Sequence, residues 1–221
     1  VVLVLMNGRP LALQWEHDHV SAILETWFPG TSGGHAVADV LYGDHNPSGH
    51  LTVTFPRNLG QVPIFYNVKN TGRPVDDEVE PRFRSKYLDA PNTPLYPFGH
   101  GLSYTTFEYS EVTLSDTTLT ADGELKARVT VRNTGDRDGY DVVQLYIHDK
   151  FASVTRPVRE LKGFEKIFLE KGASRTVEFT LTPDDLRFYD QSMAPVWEPG
   201  VVDVYVGERS DTENKATFRL K

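Results

Sequence analysis

A chain of 221 residues, 39% hydrophobic and 24% charged, is long enough for one large or two ordinary domains and apolar enough for a packed core. Its net charge of −8 argues against nucleic acid as a partner, because nucleic-acid binding needs clustered Lys and Arg. The absence of cysteine excludes disulfides and thiolate chemistry. No apolar run approaches the ~20 residues of a membrane span.

The chain begins with six consecutive apolar residues, Val1 to Met6, followed by a turn. Short runs of this kind indicate strands buried on both faces of a parallel sheet. A second apolar run, Val20 to Phe28, predicts another such strand, with a helix as the alternative. We therefore expect this sheet to need neighbours, from residues upstream of Val1 or from another chain, and this half not to fold alone.

A helix is predicted over His35 to Tyr42, where apolar residues recur at helical spacing. Ser32 is expected to cap its start and Gly43 to end it. Leu51 to Phe55 alternates like an edge strand. The order strand, strand, helix suggests the tail of an α/β layer.

Short alternating segments separated by turn signals fill the chain from Phe107 onward. Val129 and Val131, for example, alternate with polar neighbours. This pattern predicts a β-sandwich of immunoglobulin or fibronectin type III kind. The predicted strands are Phe107–Leu114, Leu125–Arg132, Val142–His148, Leu161–Phe168, Arg175–Leu181, Arg187–Tyr189, Val201–Gly207 and Thr217–Leu220.

An aromatic segment, Leu95 to Phe107, joins the two halves. It contains glycines and a proline that allow tight turns, and aromatic rings that can pack. We expect it to hold two domains together.

Five blocks along the chain resemble the C-terminal part of glycoside hydrolase family 3, the family of many β-glucosidases. Together they span nearly the whole chain in the family's order, and their spacing is most similar to that of bacterial periplasmic or secreted β-glucosidases. The blocks are Val1–Met6 with Gly8–Pro10; Ala22–Leu24 through Trp27–Gly30, with Gly33, Gly34 and Ala38–Gly43; Asn46–Gly49 with Leu51 and Thr54–Arg57; Tyr96–Gly99 with Gly101–Thr105 and Phe107; and Asn133–Gly135 with Val143–Tyr146, Arg156, Pro157 and Leu161–Phe164.

The resemblance implies an α/β plus all-β fold. Residues 1–94 would be the C-terminal part of an incomplete α/β sandwich domain with a long loop, 95–106 a linker, and 107–221 a fibronectin type III-like domain. The family's (β/α)8 barrel and the rest of the α/β sandwich would be supplied by the same protein or by another chain, as in a nicked enzyme. The resemblance also allows a homodimer and places the protein in the periplasm or outside the cell, with the cytoplasm as an alternative.

Members of the family are retaining glycosidases, in which two carboxyls about 5 Å apart flank the scissile bond. By resemblance, the nucleophile is an Asp on the absent barrel and the acid/base is a Glu upstream of Val1. We therefore assign no catalytic residue, cofactor or metal to this chain, and expect it to supply scaffold and site rim for hydrolysis of terminal β-linked glucose or a related sugar.

The segment Tyr66 to Pro74 combines an aromatic residue, two Asn and an Arg on a long loop, as sugar sites do. The family often has a similar Thr-Gly-Arg. We predict that Asn70, Thr71, Arg73, Arg84 and Tyr87 contact substrate, the alternative being a loop that only supports a domain interface.

Other polar groups have simpler interpretations. His17 and His19 would lie on one face of a strand, but no third metal ligand is evident and a solvated loop is favoured. Gly30, Gly33 and Gly34 indicate close packing rather than a phosphate site. Asp39 and Asp44 are interpreted as capping or solvated groups, and Asp184 and Asp185, which follow Pro183, as the start of a helical turn. Glu16, Asp18 and Glu25 flank apolar strands, with a minor alternative that one of these three approaches a sugar.

A second hypothesis for the whole chain is a non-catalytic carbohydrate-binding or adhesion module. It predicts a row of exposed aromatic residues on one sheet. The residues available for such a row are Tyr140, Tyr146, Phe151, Phe188, Tyr189 and Trp197.

Overall fold

The computed structural model describes residues 1–73 and 84–221. It has two short α-helices and is otherwise mostly β. The first half contains β1 (Val2–Leu5), α1 (Gln14–His19), β2 (Ala22–Glu25) and α2 (Gly33–Tyr42). The second half contains β3 (Phe107–Tyr109), β4 (Thr113–Leu114), β5 (Thr118–Leu119), β6 (Leu125–Asn133), β7 (Gly139–Asp149), β8 (Glu160–Leu169), β9 (Ser174–Leu181), β10 (Phe188–Tyr189), β11 (Pro195–Val196), β12 (Gly200–Gly207) and β13 (Lys215–Leu220).

β1 and β2 form a parallel pair, with Val2 opposite Ala22 and Leu5 opposite Glu25. The predicted parallel strands are therefore confirmed, although β2 is shorter than the apolar run that contains it. Neither strand is fully buried within the chain. Large apolar side chains beside them are exposed, among them those of Met6 and Phe28.

The helix predicted over His35 to Tyr42 is confirmed as α2, which begins two residues earlier, at Gly33. Gly43 ends it in a left-handed conformation with φ 84°, donating its N–H to the Val40 carbonyl. The prediction for Ser32 was wrong: it occupies the N-cap position, but its side chain makes no capping hydrogen bond.

Two other local predictions were also wrong. Leu51 to Phe55 is not a strand, because within the described residues it forms a single antiparallel bridge, between Phe55 and Tyr96. His17 and His19 lie in α1, neither on a strand nor in a loop, so positions two apart point in different directions. Their rings are bound separately, since the Nδ1 atoms of His17 and His19 lie 2.9 Å from the Tyr96 hydroxyl and 2.7 Å from the Trp15 carbonyl.

The second half is a two-sheet β-sandwich, as predicted. One sheet has the strand order β5-β13-β12-β7-β8. In the other, β6 pairs with β9 and, separately, with β3 and β4. The predicted strand Phe107–Leu114 is interrupted into β3 and β4 because residues 110–112 leave the ladder.

The core of the sandwich lies between the two sheets and consists of alternate residues of their strands. Val129 and Val131 of β6 face Leu145 of β7 and Val204 of β12 across this core, and all four are buried. Alternation thus predicted the inner face correctly, since a strand places successive side chains on opposite faces. Pro183–Leu186 forms a 3-10 turn closed by a capping box between Thr182 and Asp185, which confirms the structural interpretation of that acidic pair.

Candidate functional site

The long excursion between residues 57 and 93 has its two ends tied together by one buried amide. The Gln61 side chain is 1% exposed. Its Oε1 accepts the Arg57 backbone N–H at 2.6 Å, and its Nε2 donates to the Pro91 carbonyl at 2.8 Å. Arg57 Nε also donates to the Thr93 carbonyl at 3.1 Å. A buried amide with its hydrogen bonds satisfied holds both ends in one arrangement.

Further along the excursion, backbone and amide bonds bring its outgoing and returning chains together. The Ser85 N–H donates to the Arg73 carbonyl at 2.9 Å. Asn92 spans the returning chain, donating from Nδ2 to the Ser85 carbonyl at 2.8 Å and accepting the Tyr87 N–H on Oδ1 at 3.1 Å. The described positions nearest to residues 74–83 are therefore held close to each other.

The five residues predicted to contact sugar all lie on this excursion. Asn70, Thr71 and Arg73 on the outgoing side are exposed, and so is Tyr87 on the returning side. Arg84 is half-buried next to the Ser85–Arg73 bond. The arrangement brings the Arg73 and Arg84 backbones together. Pro74, which ends the predicted segment, lies outside the described residues.

The outgoing chain rests on the β-sandwich before it reaches these residues. The Tyr66 ring packs on Phe98 with centroids 4.5 Å apart and meets Tyr146 edge-on at 5.8 Å. The Val158 N–H donates to the Val68 carbonyl at 2.9 Å. An antiparallel bridge beside it joins Lys69 and Pro157. Sequence reasoning recognised Tyr66 as a nearby aromatic residue but missed this docking, because its partners are distant in the chain.

The acidic residues make local contacts. Asp18 accepts from Gln14 Nε2, and Glu25 Oε1 accepts the Trp27 N–H at 2.9 Å. Trp27 has φ 48°, which costs about 1–2 kcal/mol for a residue with a side chain. Glu25 is the last residue of β2, at the carboxyl edge of the parallel pair, where α/β sheets place ligands. Its Oε2 is buried without a partner among the described residues. Among residues 1–73 and 84–221, no three acidic or His side chains could hold a metal ion.

Comparison with known protein families accounts for most of the chain. Residues 1–104 match the model of the glycosyl hydrolase family 3 C-terminal domain. Residues 141–210 match that of the fibronectin type III-like domain. The chain corresponds to the C-terminal region of glycoside hydrolase family 3.

Individual relatives of this family 3 region are all much longer. A periplasmic β-glucosidase of Salmonella typhimurium is 52% identical over the whole chain, which covers 29% of that protein. A β-xylosidase of Formosa agariphila is 42% identical, with 30% of its length covered. The crystal structure of a β-glucosidase from Listeria innocua in complex with glucose superposes with a TM-score of 0.95 at 43% identity, and the chain covers 31% of it. The chain thus spans about three tenths of these relatives.

The family 3 domain and the fibronectin-like domain meet along the aromatic segment. Tyr104 donates its hydroxyl to the Val40 carbonyl at 2.6 Å, and Thr105 donates to Asn133 Oδ1 at 2.6 Å. On the sandwich side, the buried Gln144 amide donates to the Gly99 carbonyl at 3.4 Å and also to the Glu208 carbonyl. The segment therefore contacts both halves, as its sequence predicted.

A cavity of about 310 Å³ lies at this contact, lined in part by His50, His100, Asp141 and Glu208. Burial, followed by the charge of Arg209, lowers the pKa of His100, which favours the neutral ring. Burial and the nearby Asp141 raise the pKa of Glu208. Asp141 accepts from the Tyr109 hydroxyl at 2.6 Å, and its other oxygen lies 3.7 Å from His50 Nε2.

Proposed function

We propose that this chain is the non-catalytic C-terminal portion of a longer retaining β-glucosidase-like hydrolase. The longer protein would release terminal β-linked glucose or a related sugar from oligosaccharides or glycosides. The observation that carries the proposal is 52% identity, over the chain's whole length, to a periplasmic β-glucosidase of which it covers 29%. A (β/α)8 barrel and the remainder of the α/β sandwich would complete the protein and cover exposed apolar side chains such as Phe28 and Tyr42.

In this proposal the excursion forms part of the rim of the sugar site. Asn70, Thr71, Arg73, Arg84 and Tyr87 would contact the substrate through amide, hydroxyl, guanidinium and aromatic groups. The support is that the base of the excursion is held by Gln61 and its returning chain by Asn92, which lowers the entropic cost of ordering it around a ligand.

Hydrolysis of an aryl β-glucoside tests the proposal in two samples, the longer protein and the 221-residue chain alone. We expect turnover by the longer protein and none by the chain, because both carboxyls of a retaining mechanism would lie outside it. Turnover by the chain at a comparable rate would show that the catalytic carboxyls are here. An inactive longer protein would reject the assigned reaction.

The periplasm is the location we propose, on the basis of the Salmonella typhimurium relative named for that compartment. Within the described residues, the helices are too short to cross a membrane. Fractionation of cells producing the longer protein tests the location. A homodimer stays a prediction, which gel filtration with light scattering checks.

A carbohydrate-binding module remains a second candidate because several aromatic residues on the sandwich are exposed. Of the residues expected for such a row, Tyr146 and Phe188 are buried, whereas Phe151 is 78% and Tyr189 64% exposed. Tyr140 is 43% exposed. Its ring lies 5.0 Å from that of Phe168, which is 45% exposed and occupies the opposite position on edge strand β8. Sugar titration of residues 107–221 followed by Trp fluorescence discriminates, since saturable binding favours this candidate.

A further inference from the structure

We infer that the fibronectin-like domain positions the sugar-site rim, by clamping the outgoing chain of the excursion two to four residues before the predicted contacts begin. The clamp consists of the Tyr66 ring between Phe98 and Tyr146, and of the Val68 carbonyl bound by the Val158 N–H. The inference rests on the proposed function of the excursion, and it assigns to the sandwich a role in substrate binding.

The ring side of the clamp stands on a rigid support. Tyr146 is fully buried, and its hydroxyl donates to Gln144 Oε1 at 2.5 Å. The Gln144 amide in turn donates to the carbonyls of Gly99 and Glu208, which belong to different halves of the chain. Burial, and after it the neighbouring Tyr66, raises the pKa of Tyr146, so this hydroxyl stays a donor at any physiological pH. Tyr66 therefore packs against a ring whose position is fixed by three hydrogen bonds.

The backbone side of the clamp comes from the connection between β7 and β8. Val158 donates to Val68 at 2.9 Å, and the Lys69–Pro157 bridge continues the pairing by one position. The connection is itself held down, because Arg156 bonds Glu160 at 2.5 Å and stacks over Phe188 with its guanidinium carbon 4.6 Å from the ring centroid. Asn70 and Thr71 follow the bridge directly. Because no further contact among the described residues intervenes, motion of the backbone at Val68 or Lys69 would also displace Asn70 and Thr71.

Two pairs of substitutions distinguish the effect of losing the clamp from the effect of a general loss of stability. Val158→Pro removes the N–H that binds Val68, whereas Val158→Ala keeps it. Tyr66→Ala removes the ring from between Phe98 and Tyr146, whereas Tyr66→Phe keeps it. Phe65→Ala is a control for loss of an aromatic side chain next door, since Phe65 is half-exposed and makes no ring contact with the described residues.

The rate of amide hydrogen exchange in the longer protein measures directly whether the clamp holds the chain in place. We expect Tyr66→Ala to speed exchange of the Val158 N–H, and Val158→Pro to speed exchange of peptides covering residues 67–73, each by about tenfold, the factor that corresponds to one lost aromatic pair or hydrogen bond. Val158→Ala, Tyr66→Phe and Phe65→Ala should stay near the unmodified protein. Unchanged exchange in both disruptive variants would overturn the inference, and it would do so whether or not the protein hydrolyses glycosides.

Steady-state kinetics then tests the link to substrate. Because the clamp acts on the rim and not on the reacting carboxyls, Val158→Pro and Tyr66→Ala should raise KM about three- to tenfold for a β-linked disaccharide, with kcat within twofold. The effect should be smaller for an aryl glucoside, and Tyr66→Phe should restore KM. Faster exchange with unchanged KM would mean that the clamp is real but does not position a substrate rim, which overturns the inference while leaving the proposed hydrolase activity intact.

Discussion

Substitution of Gly99 by Ala tests how tightly the two halves are joined. Gly99 has φ 83°, a conformation that costs a residue with a Cβ about 1–2 kcal/mol. A Cβ at this position would also lie 2.7 Å from Gln144 Nε2 and 2.9 Å from Gln144 Cδ. The buried Gln144 amide would have to move, and it holds the Tyr146 hydroxyl and two carbonyls. Leaving one such group unsatisfied costs about 1–3 kcal/mol.

The chain provides a matched control in Gly172. It has a similar φ of 77°, but a Cβ there would meet nothing within 4 Å. Gly172→Ala should therefore lose only about 1 kcal/mol of unfolding free energy, and Gly99→Ala about 3 kcal/mol. At about 2–4 °C of Tm per kcal/mol for a chain of this size, the two variants should differ by roughly 4–8 °C.

Thermal unfolding of the 221-residue chain, followed by far-UV circular dichroism, measures this difference. Equal losses for Gly99→Ala and Gly172→Ala would refute the reasoning, because they would mean that the Gln144 contacts between the halves contribute nothing to stability.

Three further predictions concern the sandwich, the contact between the halves and the rim. Burial of Asp203 disfavours its charged form, but hydrogen bonds from Thr217 and Lys150 and nearby Lys charges outweigh this effect and lower its pKa. The stability that ionised Asp203 gives the fold should therefore be lost as pH falls below the ordinary value of 3.8. Asp203→Asn should flatten the acid limb of a curve of unfolding free energy against pH. Tyr104→Phe, which removes only the hydroxyl bound to Val40, should cost about 1 kcal/mol in urea unfolding, and no loss would contradict that bond. Arg73→Ala should raise KM of the longer protein at least threefold with little change in kcat, and an unchanged KM would remove Arg73 from the rim.

The sandwich could be predicted because its strands and turns follow from patterns among residues that are neighbours in the sequence. Alternation in segments such as the one containing Val129 and Val131 fixes which face is buried, and a turn signal such as Lys171-Gly172 marks where the chain reverses. The strands β5 and β11 escaped prediction because a two-residue strand carries no period, and the position of β5, for example, depends on its pairing with β13.

The first half was less predictable because its contacts join distant residues. Leu51 to Phe55 has the pattern of a strand, yet Phe55 forms only one bridge, to Tyr96, and packs in a small core with Leu13 and Leu95. Helix α1 has six residues and buries none of them, so it lacks the apolar period by which a helix is recognised.

The structure of the excursion at the candidate site was also hard to predict, because its contacts join residues that are distant in the sequence. Composition identified Asn70, Thr71 and Arg73 as groups suited to sugar, and nothing yet tests that role. The bonds that shape the excursion come from Gln61 and Asn92, ordinary loop residues whose importance depends on where Pro91 and Ser85 return. No local pattern in a single sequence records such a closure.

The most direct test of the account is to trap the glycosyl–enzyme intermediate. A retaining hydrolase treated with an activated 2-deoxy-2-fluoro-β-glucoside accumulates an ester between the sugar and its nucleophile, which peptide mapping by mass spectrometry locates. For the longer protein we predict the ester on an Asp outside residues 1–221. An ester on any carboxylate from Val1 to Lys221 would contradict the claim that this region supplies scaffold and rim and not the catalytic groups.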